Sequence, residues 1–236
     1  MKRNYDYKNN RQPIYSIVRK IIRPFMKKPE IINLNENLET NTIYLSTHCA
    51  KKGPIFLDMF FPIRHALWGA HEMLGNYKQR YNYLRNVYYI QKMKKGKFRA
   101  TISASFEAIF NIYFYKGMRV IPTFPDVRLM NTIKHTCNTL NNNLPVMIFP
   151  ENSNDGYFEV LNELFPGFII LSDVYYKKYG KDLPTYPVYY HHKAKKLFIG
   201  KPLYIQELKQ KGIKNEEICE LFKEKINGFY FDYIKK

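Results

Sequence analysis

The strongest constraint on this chain is an alternation. Short apolar runs rich in β-branched and aromatic residues fall at residues 42–46, 65–70, 118–121, 145–149, 186–190 and 196–199. Between and after them lie longer stretches with apolar residues at helical spacing, at 55–61, 81–91, 99–115, 126–140, 158–164, 167–178 and 216–233. Strands alternating with helices predict an α/β domain with a mixed, largely parallel central sheet flanked by helices. Gly53-Pro54 opens the first helix with Pro in its first turn, and Gly180 closes the sixth.

A separate element precedes this domain. Ile14, Ile17, Val18, Ile21, Ile22 and Phe25 form one apolar helical stripe, with Arg19, Lys20 and Arg23 elsewhere. Lys27 and Lys28 follow, and Pro29 stops the element. The spacing predicts an N-terminal amphipathic helix over residues 13–26, behind a basic tail at 1–12. The chain thus divides into residues 1–30 and a single domain at 31–236. The stripe suits either docking on that domain or lying in a membrane interface, where an apolar face and basic flanks are required.

The 236 residues carry 38 Lys and Arg against 20 Asp and Glu, a formal net charge of +18. Apolar content of 45% is enough for a core and excludes wholesale disorder. The three cysteines, Cys49, Cys137 and Cys219, lie far apart, which argues against a disulfide scaffold or a zinc module. No apolar run approaches the ~18 residues that span a bilayer. The start of the chain has no apolar segment of signal-peptide type. These features predict a cytoplasmic protein. The charge calls for an anionic partner: nucleic acid, an anionic membrane surface or a polyanionic small molecule.

Two loops at strand ends concentrate the chemistry. One holds Thr47-His48-Cys49; the other runs Phe149-Pro150-Glu151-Asn152-Ser153-Asn154-Asp155-Gly156-Tyr157. Ligands in α/β sheets sit beyond the carboxyl ends of strands, so a His and a Glu on two such loops can converge. Taken singly, His48 also suits a structural hydrogen-bonded role, and Glu151 that of a helix-capping carboxylate.

The order of these blocks resembles the glycerolphosphate and lysophospholipid acyltransferase family. Thr47-His48 corresponds to its His block and Gly117-Met118-Arg119-Val120-Ile121-Pro122 to its second block. Phe149-Pro150-Glu151-Asn152-Ser153-Asn154-Asp155 matches its Phe-Pro-Glu block, and Leu183-Pro184-Thr185-Tyr186-Pro187-Val188-Tyr189 its Pro-rich strand. Ile199-Gly200-Lys201-Pro202-Leu203 is similar to its closing strand, and the match spans residues 41–205. The resemblance implies an acyltransferase-like fold. It also implies transfer of a fatty acyl group from a thioester, on coenzyme A or an acyl carrier protein, to a lipid hydroxyl. His48 is then the general base, with Asp58 as its candidate acid. Gly117, Arg119, Glu151, Asn152, Ser153 and Asn154 hold the acceptor. The resemblance implies no bound cofactor, no metal, and work at the inner face of the cell membrane.

This chain departs from the pattern in two respects. The family has Asp five residues after its His, where Gly53 stands here. Asp58, Glu72 and Glu151 are the alternatives. The family's arginines near the acceptor phosphate are replaced by Thr123 and Asn154, with Arg119 and Arg128 nearby. Either those two substitute, or the acceptor carries no phosphate beside its reacting hydroxyl. The missing Asp supports a second reading, a catalytically silent lipid-binding member of the same fold. The charge and the aromatics support a third, a nucleic-acid-binding protein. It is disfavoured because the aromatics fall inside apolar strands and helices. His191-His192 with its neighbouring lysines reads as a solvated hairpin turn.

Overall fold

A computed structural model describes residues 13–49 and 52–235. In chain order it contains α1 (Pro13–Ile22), β1 (Glu30–Asn33), β2 (Ile43–Ser46), α2 (Lys52–Phe60), β3 (Ala66–Ala70) and α3 (Tyr77–Asn82). A π-helix (Tyr83–Lys92), α4 (Lys97–Gly117), β4 (Val120–Thr123), α5 (Leu129–Asn141) and β5 (Val146–Ile148) follow. Then come α6 (Gly167–Tyr179), β6 (Pro184–His191), β7 (Lys196–Ile199), β8 (Leu203–Tyr204), α7 (Ile205–Gln210) and α8 (Asn215–Tyr233).

The strands form one open sheet in the order β1-β7-β6-β2-β5-β3-β4, with β8 on β6. Pairing is parallel at β1–β7, β2–β5, β2–β6, β3–β4 and β3–β5. It is antiparallel at β6–β7 and β6–β8. The mixed, mostly parallel sheet flanked by helices is therefore as the alternation predicts. All four residues of β2 are buried, as expected for a parallel strand covered on both faces.

Successive β2 side chains point to opposite faces. Ile43 and Leu45 join Ile133, Phe168, Leu171 and Phe222 from α5, α6 and α8. Tyr44 faces the other way, with Tyr15 of α1 and Phe56, Leu57 and Phe60 of α2. A third group packs Ala100, Ala104 and Ala108 of α4 against Leu84, Tyr88 and Tyr89 of the π-helix. The small alanines let the two helices approach closely. No helix among the described residues is long and apolar enough to cross a membrane.

Several elements differ from the sequence expectation. Residues 158–164 are irregular rather than helical. The Asn227 side chain accepts from the Leu161 N–H at 2.7 Å and donates to the Leu161 carbonyl at 2.9 Å, so a core polar residue does the work of a helix ladder. The stretch predicted as a helix at 81–91 is mostly π-helix. β1 pairs with β7 where the sequence offered only a four-residue run, Glu30–Asn33. The predicted basic tail at 1–12 lies outside the described residues.

Candidate functional site

β2, β5, β3 and β4 run parallel and side by side, so their carboxyl ends share one edge of the sheet. His48 leaves β2 and Glu151 leaves β5 at that edge, and the structure brings the two loops together. The His48 peptide N–H donates to the Glu151 carboxylate. The His48 ring packs edge-on to Phe149, with centroids 4.8 Å apart, and stacks on Tyr157 at 4.9 Å.

Local backbone geometry separates His48 from its neighbour. Cys49 has φ of 46°, in the left-handed region, which costs a side-chain-bearing residue about 1 kcal/mol. The turn directs the Cys49 thiol to the Tyr190 carbonyl at 2.9 Å. Burial, reinforced by Glu151, pushes that thiol up to about 11. Cys49 is therefore a poor candidate for a nucleophile.

Glu151 is buried, and burial raises its carboxyl to about 7 against the opposing influence of the His48 peptide N–H and of Lys92. One of its oxygens, Oε1, has no hydrogen-bond partner among the described residues. The loop beyond it is tied down on both sides. Asn152 donates to Glu163 at 2.7 Å, and Lys92 of the π-helix donates to Ser153 Oγ at 2.7 Å. The Asn154 N–H donates to Asn152 Oδ1 at 3.2 Å. The predicted loop residues thus fix the shape of the Glu151 turn.

The His48 ring borders a cavity of about 310 Å³, at the small end of the range for ligand pockets. Leu67, Trp68, Phe114, Met118 and Phe149 supply apolar wall. Tyr83 and Tyr88 reach it from the π-helix, whose i→i+5 repeat sets them on one face. Tyr157 lines it beside His48, and Glu107 and Asn111 of α4 add polar groups. Burial holds the phenols of Tyr83, Tyr115 and Tyr157 above their ordinary value, so they remain O–H groups at neutral pH. Sequence reasoning assigned Tyr157 no role; its place directly after Gly156 in the Glu151 loop was the available signal.

Other predicted residues lie apart from this cavity. The Asp58 carboxylate accepts from the Tyr15 hydroxyl and pairs with Arg19 Nε at 3.9 Å, both on α1. Gly117 packs beneath the Tyr15 ring, where any Cβ would collide with it. Arg119 has φ of 54° at the turn into β4. Arg128 is exposed and grips Asp126, with Nη2–Oδ2 at 2.6 Å. Gly53 does not occupy a left-handed conformation. A Cβ there would lie 2.0 Å from the His48 carbonyl oxygen. The position that carries Asp in the acyltransferase pattern is therefore closed by the backbone of the His loop itself.

Fold and site together define an α/β protein with a His–Glu pair at the carboxyl edge of its sheet, beside a partly open cavity lined largely by apolar and aromatic residues. The sequence matches no protein-family model and no curated protein.

Proposed function

We infer that the protein is an acyltransferase that moves a fatty acyl group from a thioester to a lipid hydroxyl. One observation carries the reading: His48 and Glu151 leave adjacent parallel strands and meet, with the His48 ring on the wall of a largely apolar cavity. In this reading His48 removes the proton of the acceptor hydroxyl. The oxygen attacks the thioester carbonyl, a C–O bond forms, the C–S bond breaks, and the thiol leaves with the proton. Glu151, the expected grip on the acceptor, does not itself line the cavity and in this reading acts by holding the His48 loop through the His48 peptide N–H. Coenzyme A or an acyl carrier protein serves as donor. An N-terminal amphipathic helix and the basic surface suit a peripheral position on an anionic membrane.

The test is thiol release and product formation from acyl-coenzyme A and acyl carrier protein thioesters, with lysophospholipid or neutral monoacylglycerol as acceptor. General-base assistance contributes about 10²–10⁴ in rate, so His48→Ala should lose at least a hundredfold with unchanged thermal unfolding. Full activity in that variant overturns the mechanism. The engagement of Asp58 by α1 favours a second reading, lipid binding without turnover. In that case lipid is retained and no thiol is released.

A further inference from the structure

We propose that the outward face of α4 is the surface by which the protein lies on an anionic lipid bilayer. The inference rests on the lipid reading above but uses a different part of the molecule. Phe98, Ile102, Phe106, Ile109, Phe110 and Tyr113 are all exposed, Phe98 at 78% and Phe106 at 66%. At 3.6 residues per turn they fall within a sector of about 120°. The opposite side of α4 carries Ala100, Ala104 and Ala108, buried against the π-helix. α4 thus has two apolar sides, and only one is covered among the described residues. Six large apolar side chains on one helix face far exceed the scattered exposure normal for a protein surface.

Charge selects the occupant. Lys94, Lys95, Lys97 and Arg99 stand exposed at the N-terminal end of the stripe. The one acid of α4, Glu107, points inward to the cavity and accepts from the Tyr89 hydroxyl. A second copy of this chain would bring another +18 against the same cations. A bilayer with anionic headgroups satisfies both the apolar stripe and the basic rim. α1 packs on the far end of α4 through Tyr15 and Phe114, with ring centroids 6.0 Å apart. Its own Ile17 and Ile21 are exposed, as are Phe25, Lys20 and Arg23. The inner side of α4 lines the cavity through Asn111 and Phe114, so a bilayer on its outer side lies one helix diameter from the site.

The full chain is tested on vesicles of phosphatidylcholine, with and without phosphatidylglycerol. Wild type should partition onto the anionic vesicles. Phe98→Ser, Phe106→Ser and Phe110→Ser combined should weaken partitioning at least about tenfold, because exposed rings contribute by burial in lipid rather than to the core. Trp68 is the lone tryptophan and is buried, so a second tryptophan reports its own surroundings. Phe106→Trp should shift to the blue and be quenched by nitroxide-labelled lipid. Phe231→Trp, exposed on α8 across the sheet, should not be. Equal quenching at both positions, or unimpaired partitioning of the triple variant, overturns the proposal. So does a lipid-free dimer in sedimentation velocity that the triple variant dissociates. Thiol release by His48 without vesicle binding would sink the surface alone; vesicle binding without thiol release would sink the enzyme reading alone.

Discussion

Glu151→Gln isolates the cost of burying the carboxylate that ties the two site loops together. Gln keeps the shape and an oxygen that accepts from the His48 peptide N–H, but it cannot ionise. The wild-type carboxyl lies at about 7 in the fold, against about 4.5 in an unfolded chain. The folded state therefore binds more protons than the unfolded one between those values, and this group's contribution to stability falls as pH rises through that window. Two and a half units correspond to about 3 kcal/mol, fully expressed above pH ~7 and absent below pH ~4.5. His65 acts in the opposite direction, since burial lowers its value and its contribution is lost as pH falls. Subtracting wild type from variant at each pH removes that background for sites that do not interact. Urea unfolding at pH 4.5 and pH 8 should show the variant gaining about 3 kcal/mol relative to wild type across the interval. A difference that stays constant with pH would refute the argument, because Glu151 would then titrate as an ordinary surface carboxylate.

Substitutions at two further positions probe the missing acid. Gly53→Asp restores the side chain of the acyltransferase pattern, yet its Cβ would meet the His48 carbonyl oxygen at 2.0 Å. Stability should fall by roughly 1–3 kcal/mol and thiol release with it, and Gly53→Ala should do the same; a more active Gly53→Asp protein would show that the loop yields. Asp58→Asn should loosen α1, read as faster proteolysis near residues 13–22, while lowering turnover less than His48→Ala does; an equal loss of turnover would return Asp58 to the catalytic group.

Much of the fold is written in local pattern, and the parts that are not have identifiable causes. The apolar runs at 42–46 and 145–149 correspond to β2 and β5, because a strand buried on both faces is continuous in hydrophobicity. Gly180, at φ of 65°, ends α6 as its position suggests. Residues 158–164 misled because Phe158, Leu161 and Leu164 have helical spacing. Leu161 and Leu164 do enter the core, but the backbone there is satisfied by Asn227, 66 residues away from Leu161. No local pattern can report so distant a partner. The same limit applied to α4. Its apolar residues read equally as core or membrane face, and only the fold separates the alanine side from the phenylalanine side.

The site divides along the same line. His48 and Glu151 were legible because each follows an apolar strand, and adjacent parallel strands deliver their loops to one edge. What packs around His48 was not legible, because it comes from the tertiary fold. Asp58 is spent on holding α1, and the space at residue 53 is occupied by the His48 carbonyl. Two aromatic rings, Phe149 and Tyr157, pack against the imidazole, while its peptide is anchored to Glu151. Rings fix position without donating or withdrawing charge, whereas a carboxylate would also stabilise an imidazolium. The Glu151 carboxylate, on the neighbouring strand-end loop and raised to about 7 by burial, is a group whose ionisation would supply such stabilisation. A rise of activity through pH 7 that is smaller in Glu151→Gln than in wild type is the signature of that arrangement.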